Sequence, residues 1–302
     1  MALATNRINI NRATTGLVLN PEQSAEIWAK AAEESAIMRL SRQVELPGSG
    51  ISIPVVTGDP VANFVVESAE KPVSNSTFTT KTMVPFKIAV IELMSKEFLR
   101  DFDALAAELV RRLPYSIGRK FDQTIAYGTA PGTGFDVLTN ATAVSLTPPS
   151  GGSVYQQLVT ALETVGAGGY SLDGWAIAPQ AYGTLLGAVD GNGRPLLIDS
   201  VNDDREVGRI LGAPVIRTKN VFNASSGEGV PNMVGLAGDW SQSRYGVVNG
   251  IEVATSEEAT INTGTEQVNL WQRNMVAFRV EAEVGFVVSD SAAFVRLTTA
   301  VN

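Results

Sequence analysis

The sequence contains neither cysteine nor histidine. Without a thiol, no disulfide forms and no thiolate serves as nucleophile or metal ligand. Without an imidazole, Ser-His-Asp and Cys-His catalysis, the common zinc sites and a histidine pH switch fall away. Long apolar runs are missing too: no stretch reaches the 18 residues of a membrane-spanning helix, and the opening MALATNRINI lacks the basic and apolar regions of a signal peptide. A soluble protein made in the cytosol is expected. Positive charge is sparse, with no run longer than the pairs Arg111-Arg112 and Arg119-Lys120. Acidic residues outnumber basic ones 31 to 23, for a net charge of -8. The clustered positive footprint that releases phosphate counterions is therefore absent, and sequence-specific nucleic-acid binding is not expected.

What is present is enough for one elaborate domain or two modest ones: 302 residues, 44% hydrophobic and 18% charged, with no internal repeat and no low-complexity segment. Residues 1–19 hold no sustained period and read as an extended arm. Asn20-Pro21 opens a short helix carrying Ala25, Trp28, Ala32, Ile37 and Leu40 as far as about Ser41. From Pro47 to Met94 the pattern is β. Ile51, Ile53 and Val55 alternate on one arm, and Phe78, Val84, Phe86, Ile88 and Val90 on the other, around a polar, turn-rich tip. A lone two-stranded ribbon is marginal in water, so its apolar face calls for another copy of the chain.

Ser95 caps the clearest helix, with Phe98, Phe102, Leu105, Leu109 and Leu113 spaced at three and four and continued by Ile117, Phe121 and Ile125. Pro114 predicts a kink there or two abutting helices. Beyond the loops at 128–134 and 147–152, helices and strands alternate. Val154–Val165 reads as a helix, Trp175–Ala178 as a strand, and Pro179 starts a helix bearing Tyr182, Leu185, Leu186 and Val189. Arg209–Thr218 and Met233–Leu236 read as further strands. The even positions Val276, Phe278, Val280, Ala282, Val284, Phe286 and Val288 mark a half-buried antiparallel strand, and Ala293–Leu297 a last one.

This order resembles the Hong Kong 97 fold of tailed-bacteriophage major capsid proteins, an α+β class. The residues resemble it as well. Ser95-Lys96-Glu97-Phe98-Leu99-Arg100-Asp101 is similar to the family's Ser-x-Glu-Leu-Leu-x-Asp opening of a spine helix. Phe121-Asp122-Gln123, Tyr127-Gly128 and Gly132–Leu138 are similar to the segment that closes it. Trp175-Ala176-Ile177-Ala178-Pro179, Asp190–Leu196, Leu211-Gly212-Ala213-Pro214-Val215, Gly238-Asp239-Trp240, Asn274–Glu283 and Ala293-Phe294-Val295 continue the series.

The resemblance implies an N-terminal arm (1–46), an extended loop (47–94), a peripheral domain with the spine helix (95–151), an axial domain (152–248), and returning peripheral strands with a final axial strand (249–302). It implies a shell of pentamers and hexamers that encloses DNA without reading its sequence and is assembled in the bacterial cytoplasm, with no membrane, cofactor, metal or catalytic residue. Contacts between copies are expected at Phe64, Glu67, Glu70, Lys71, Phe78 and Lys81 of the loop and at Arg279, Glu281 and Glu283 of the returning strand. Members with a built-in scaffold carry a helical extension before the arm, and here the arm begins almost at Met1. Either a separate scaffolding protein exists or the chain is already processed; portal and decoration proteins complete the expected partners. An encapsulin-like compartment shell shares the fold and stands as the alternative.

Enzymatic readings find little support. Ser68-Ala69-Glu70-Lys71 matches Ser-x-x-Lys but lacks its companion motifs, the glycines of 128–134 are not followed by Lys-Ser/Thr, and no nucleophile elbow of an α/β hydrolase occurs. Asp199, Asp203 and Asp204 crowd one loop without the EF-hand's glycine and terminal glutamate. The Asn-x-Ser/Thr matches at Asn75, Asn140 and Asn223 are coincidental loop composition. Some shells of this fold are welded by a lysine–asparagine isopeptide bond. The hypothesis that one forms here, between Lys71 or Lys81 and Asn249, Asn269 or Asn274, is checked by boiling particles in detergent, where a single band at the subunit mass excludes it.

Overall fold

The structure, a computed structural model, describes residues 35–67, 69–101, 103–149, 152–186, 206–224, 230–248 and 250–299. The helix expected from Pro21 to about Ser41 is not continuous: Ser35 is extended and its hydroxyl accepts from the Met38 amide, capping a separate short helix, α1 (Ala36–Leu40), while the expected part before Ser35 lies outside the described residues. The chain then enters β1 (Arg42–Glu45), a strand too short to carry a readable period. β2 (Ile51–Gly58) and β3 (Thr77–Met83) form the antiparallel ribbon, with Ile51 opposite Met83.

The ribbon's second arm does not continue to Met94 as the alternation predicts. It stops at Met83, and β4 (Phe86–Ser95) joins a different sheet. Pro85 has no N–H for a ladder, and the Val84 amide donates to Gly134 at 2.9 Å, outside the ribbon. Helix α2 (Lys96–Asp101) follows, then α3 (Asp103–Tyr127), 25 residues and about 37 Å long. Ser95, the expected cap, donates its hydroxyl to the Glu97 carboxylate at 2.9 Å.

No division occurs at Pro114: α3 runs through it. The buried stripe of Leu113, Ile117, Phe121 and Ile125 provides packing that outweighs the roughly 3 kcal/mol propensity cost of an interior proline. Phe102 lies outside the described residues, as do the side chains of Leu105 and Leu109.

The rest comprises β5 (Thr142–Ser145), α4 (Val154–Ala167), β6 (Gly174–Ile177), α5 (Pro179–Leu186), β7 (Glu206–Ile210), β8 (Ala213–Arg217), β9 (Asn232–Gly238), β10 (Ser243–Val247), β11 (Glu252–Ser256), β12 (Thr260–Asn262), β13 (Gln267–Asn269), β14 (Met275–Val288) and β15 (Phe294–Thr299). The single strand expected over 209–218 is a hairpin. Leu211 and Gly212 have φ of 49° and 85°, and this tight turn folds β7 back on β8. Helix α4 is fixed by a capping box, Ser153 with Gln156.

Two sheets organise the molecule. In the five-stranded sheet, β14 is the axis, paired with β4 along one edge and with β10 and β11 along the other; β1 lies parallel beyond β10. The six-stranded sheet runs β5-β15-β9-β6-β8-β7. Its central β6 is buried at every residue, as a strand covered on both faces requires. Ala176, Leu236 and Phe294 face the core shared with α3, and Trp175, Ile177, Val234 and Val295 face a second core under α4 and α5. Phe121 on α3 meets Phe135, Phe286 and Tyr245 edge-on, locking the long helix to β14 and β10.

Candidate inter-subunit surface

The ribbon is rooted by a hollow made of glycine. Gly246 and Gly285 sit opposite each other on β10 and β14. A Cβ on Gly246 would meet Leu46 at 2.6 Å, and one on Gly285 would meet Leu46 and Met83 at 2.8 Å. Leu46, just after β1, and Met83, from the end of β3, are therefore sunk into the sheet with Ile53 and Val287 around them. At the same level the Lys81 ammonium pairs with Asp136 at 3.1 Å.

Beyond this root, among the described residues, no third strand lies beside the ribbon and most of its residues are exposed. It is a two-stranded sheet of its own. Phe78 is 68% exposed, and Val56, Val61, Phe64, Val66 and Val73 are exposed as well. The tip, expected to be polar and turn-rich, exposes polar residues such as Asp59, Asn63, Glu70 and Lys71 and also this apolar set. The valines between the turn residues are the sequence signal for the apolar set.

The nine residues expected at contacts fall in four places. Phe64, Glu67, Glu70 and Lys71 are exposed at the tip, and Ser68 lies outside the described residues. Phe78 lies on the uncovered ribbon, whereas Lys81 belongs to the root. Arg279, Glu281 and Glu283 lie on the outer face of β14, opposite Ile91, Ala89 and Lys87 of β4. There Lys87 pairs with Glu281 at 3.3 Å and with Glu283 at 3.5 Å, and Arg279 reaches Glu281 at 3.5 Å. The hydrogen bond and charge of Glu281 raise the Lys87 pKa. Glu252 on β11 is directly opposite Glu281, a like-charge pairing across strands that the neighbouring cations offset. Lys87 and Glu252 were not singled out from sequence, because nothing local marks which charges a sheet will bring together.

The buried polar groups perform structural work. Asp122 on α3 accepts from the Ser35 hydroxyl, from the Ala36 and Ile37 amides, and from the Asn220 side chain at 3.0 Å. It therefore ties α1, α3 and the loop after β8 together. Burial raises its pKa to about 6 despite these donors, each of which favours the carboxylate. The glycine loop at 128–134 admits side chains rather than phosphate: a Cβ on Gly132 would strike Phe86, and one on Gly134 would strike Val84. Asn269 and Asn274, named above as weld partners, hold the turn between β13 and β14. The Asn274 amide donates to Glu97 at 2.6 Å, and the Asn269 amide to Thr260 at 3.2 Å. Asn249, Val189, Asp199, Asp203 and Asp204 lie outside the described residues. Among the described residues, no three acidic side chains come together to hold a metal, and no helix is long and apolar enough to cross a membrane.

A well-packed body bearing an uncovered apolar ribbon describes a structural subunit that is completed by contact with other chains. Comparison with known proteins identifies which kind. Residues 15–299 match the model of the phage capsid family, and the chain belongs to that family. It is 32% identical over 296 residues to a probable major capsid protein of Mycobacterium phage L5, covering 93% of this chain and 89% of that protein. A chain of Mycobacterium phage Adephagia superposes with a TM-score of 0.70 at 23% identity, over 89% of this chain and 91% of its own. A chain from the capsid of an empty GTA particle superposes at 0.65 with 14% identity, over 99% and 96%. The protein is a structural capsid subunit of the virion, built into a shell of many copies, and it is not an enzyme. The encapsulin-like alternative is not favoured, since the curated relatives are phage proteins.

Proposed function

We propose that this chain closes into the icosahedral head of a tailed phage around double-stranded DNA, each copy holding the Hong Kong 97 arrangement. Residues 1–46 are the N-terminal arm, 47–94 the extended loop, 95–151 with 249–302 the peripheral domain and last axial strand, and 152–248 the axial domain. The core under α4 and α5 supports an axial unit, while the core around α3 and β14 reaches into the same sheet through Ala176, Leu236 and Phe294 and joins the two parts. The net charge of -8 supports a container that encloses DNA without gripping its sequence. Pentamers and hexamers are the building units, assembled in the host bacterial cytoplasm with a separate scaffolding protein, a portal and decoration proteins.

The observation that carries this reading is the ribbon, exposed at Phe64, Val66, Val73 and Phe78 with no third strand beside it among the described residues. It lies across an adjacent copy, bringing Glu67, Glu70 and Lys71 to that copy's surface, while the Arg279, Glu281 and Glu283 face receives a neighbour in turn. Deleting residues 60–75 tests this. The root holds the body together without the tip, so the shortened chain folds and stays soluble but forms no closed shells. Normal particles from that deletion would overturn the role given to the ribbon.

A further inference from the structure

Trp271 is the one large aromatic held outward on a well-braced turn among the described residues. It is 74% exposed, yet the turn between β13 and β14 is tightly pinned. Leu270, beside it, is fully buried in a small core with Val268, Met275 and Ala277. The Leu270 amide donates to Ala259 at 3.1 Å and the Met275 amide to Leu270 at 2.9 Å. The Gln272 amide donates to the Asn269 side chain at 3.0 Å. The Lys96 amide donates to the Asn274 carbonyl at 2.8 Å. Asn274 itself adopts a φ of 53°, which closes the turn. The Arg273 guanidinium holds both oxygens of Glu266, at 2.9 and 3.1 Å. The indole is thus fixed in water on a frame that has little left to lose on binding, which is how an anchor residue is presented.

We infer that Trp271 inserts into a second copy of this chain when the shell forms. The inference rests on the shell reading. Size selects the occupant: one indole offers on the order of 150 Å² of contact, against roughly 800 Å² per partner in a stable pairwise complex. It cannot hold an independent protein, but it adds usefully to a subunit that already touches several identical neighbours. Charge argues against nucleic acid, because the cations near the turn are already paired, Arg273 with Glu266 and Lys96 with Glu257.

Fluorescence reads this directly, since Trp175 and Trp240 are buried and Trp28 can be removed as Trp28→Phe. In unassembled subunits of that variant, Trp271 emits as a water-exposed indole and is readily quenched by acrylamide. In purified shells its emission moves to the blue, and quenching falls to that of the Trp28→Phe, Trp271→Phe protein. A Trp271→Ser chain keeps the thermal midpoint of the parent subunit and yields fewer closed shells. Shells that form while Trp271 stays fully quenchable would overturn the inference and leave the shell reading intact. Failure of the parent chain to form shells would instead sink the reading on which the inference stands. Protection of Trp271 by added duplex DNA alone, without assembly, would also overturn it.

Discussion

At the scale of single residues, Asp122 joins three parts of the chain and carries the clearest pH signature. Four donors converge on its carboxylate, and burial still raises its pKa to about 6, above the value of about 4 in an unfolded chain. The native state therefore keeps this proton to higher pH than the unfolded state does. The resulting stabilisation is complete below pH 4, fades as pH rises through 6, and amounts at most to something on the order of 3 kcal/mol. For isolated subunits, the urea midpoint of the parent should fall between pH 4 and 6 relative to that of Asp122→Asn, which has no proton to lose. Parallel profiles for the two proteins would contradict the assignment. Asp122 stood in the sequence as part of a family-like Phe-Asp-Gln segment, but its partners did not. Ser35 and Asn220 are 87 and 98 positions away, and no local pattern encodes such a meeting.

Among the elements, those with a long, strict period were legible and those defined by a neighbour were not. β14 was plain from its alternation, and the lower half of α3 from its apolar stripe. β1, β12 and β13 hold only three or four residues each, less than a period can declare. The alternation of β4 looks like a continuation of β3 and overstates the ribbon's length, and only Pro85 marks the change of sheet. Its root was hidden in a similar way. Gly285 falls in the odd-numbered set of β14 with Arg279, Glu281 and Glu283, and nothing local marks it as a packing site until Leu46 and Met83 are seen filling its place. Gly285→Val should force those side chains out and cost about 1–3 kcal/mol by overpacking. Calorimetry of the subunit checks this, and an unchanged midpoint would mean that the root is not packed as described.

For the molecule as a whole, the class of fold was legible as an ordered series of short motifs, beside a composition that removes cysteine- and histidine-based catalysis. The surface was not legible. Which apolar residues stay uncovered depends on what the rest of the chain fails to reach, and that is a property of the folded body. The same body explains why shell formation follows from ordinary forces: a stable core satisfies itself, while the ribbon and the Trp271 turn each remain short of a partner. Many weak contacts of this kind, repeated around a closed surface, share the loss of rigid-body freedom that any single pair would bear alone. Electron microscopy of the purified full-length chain, taken across concentration, salt and pH, tests this most directly. Rings of five and six or closed particles are the predicted result, and a monodisperse monomer under every condition, with residues 47–83 folded back on its own surface, would contradict it.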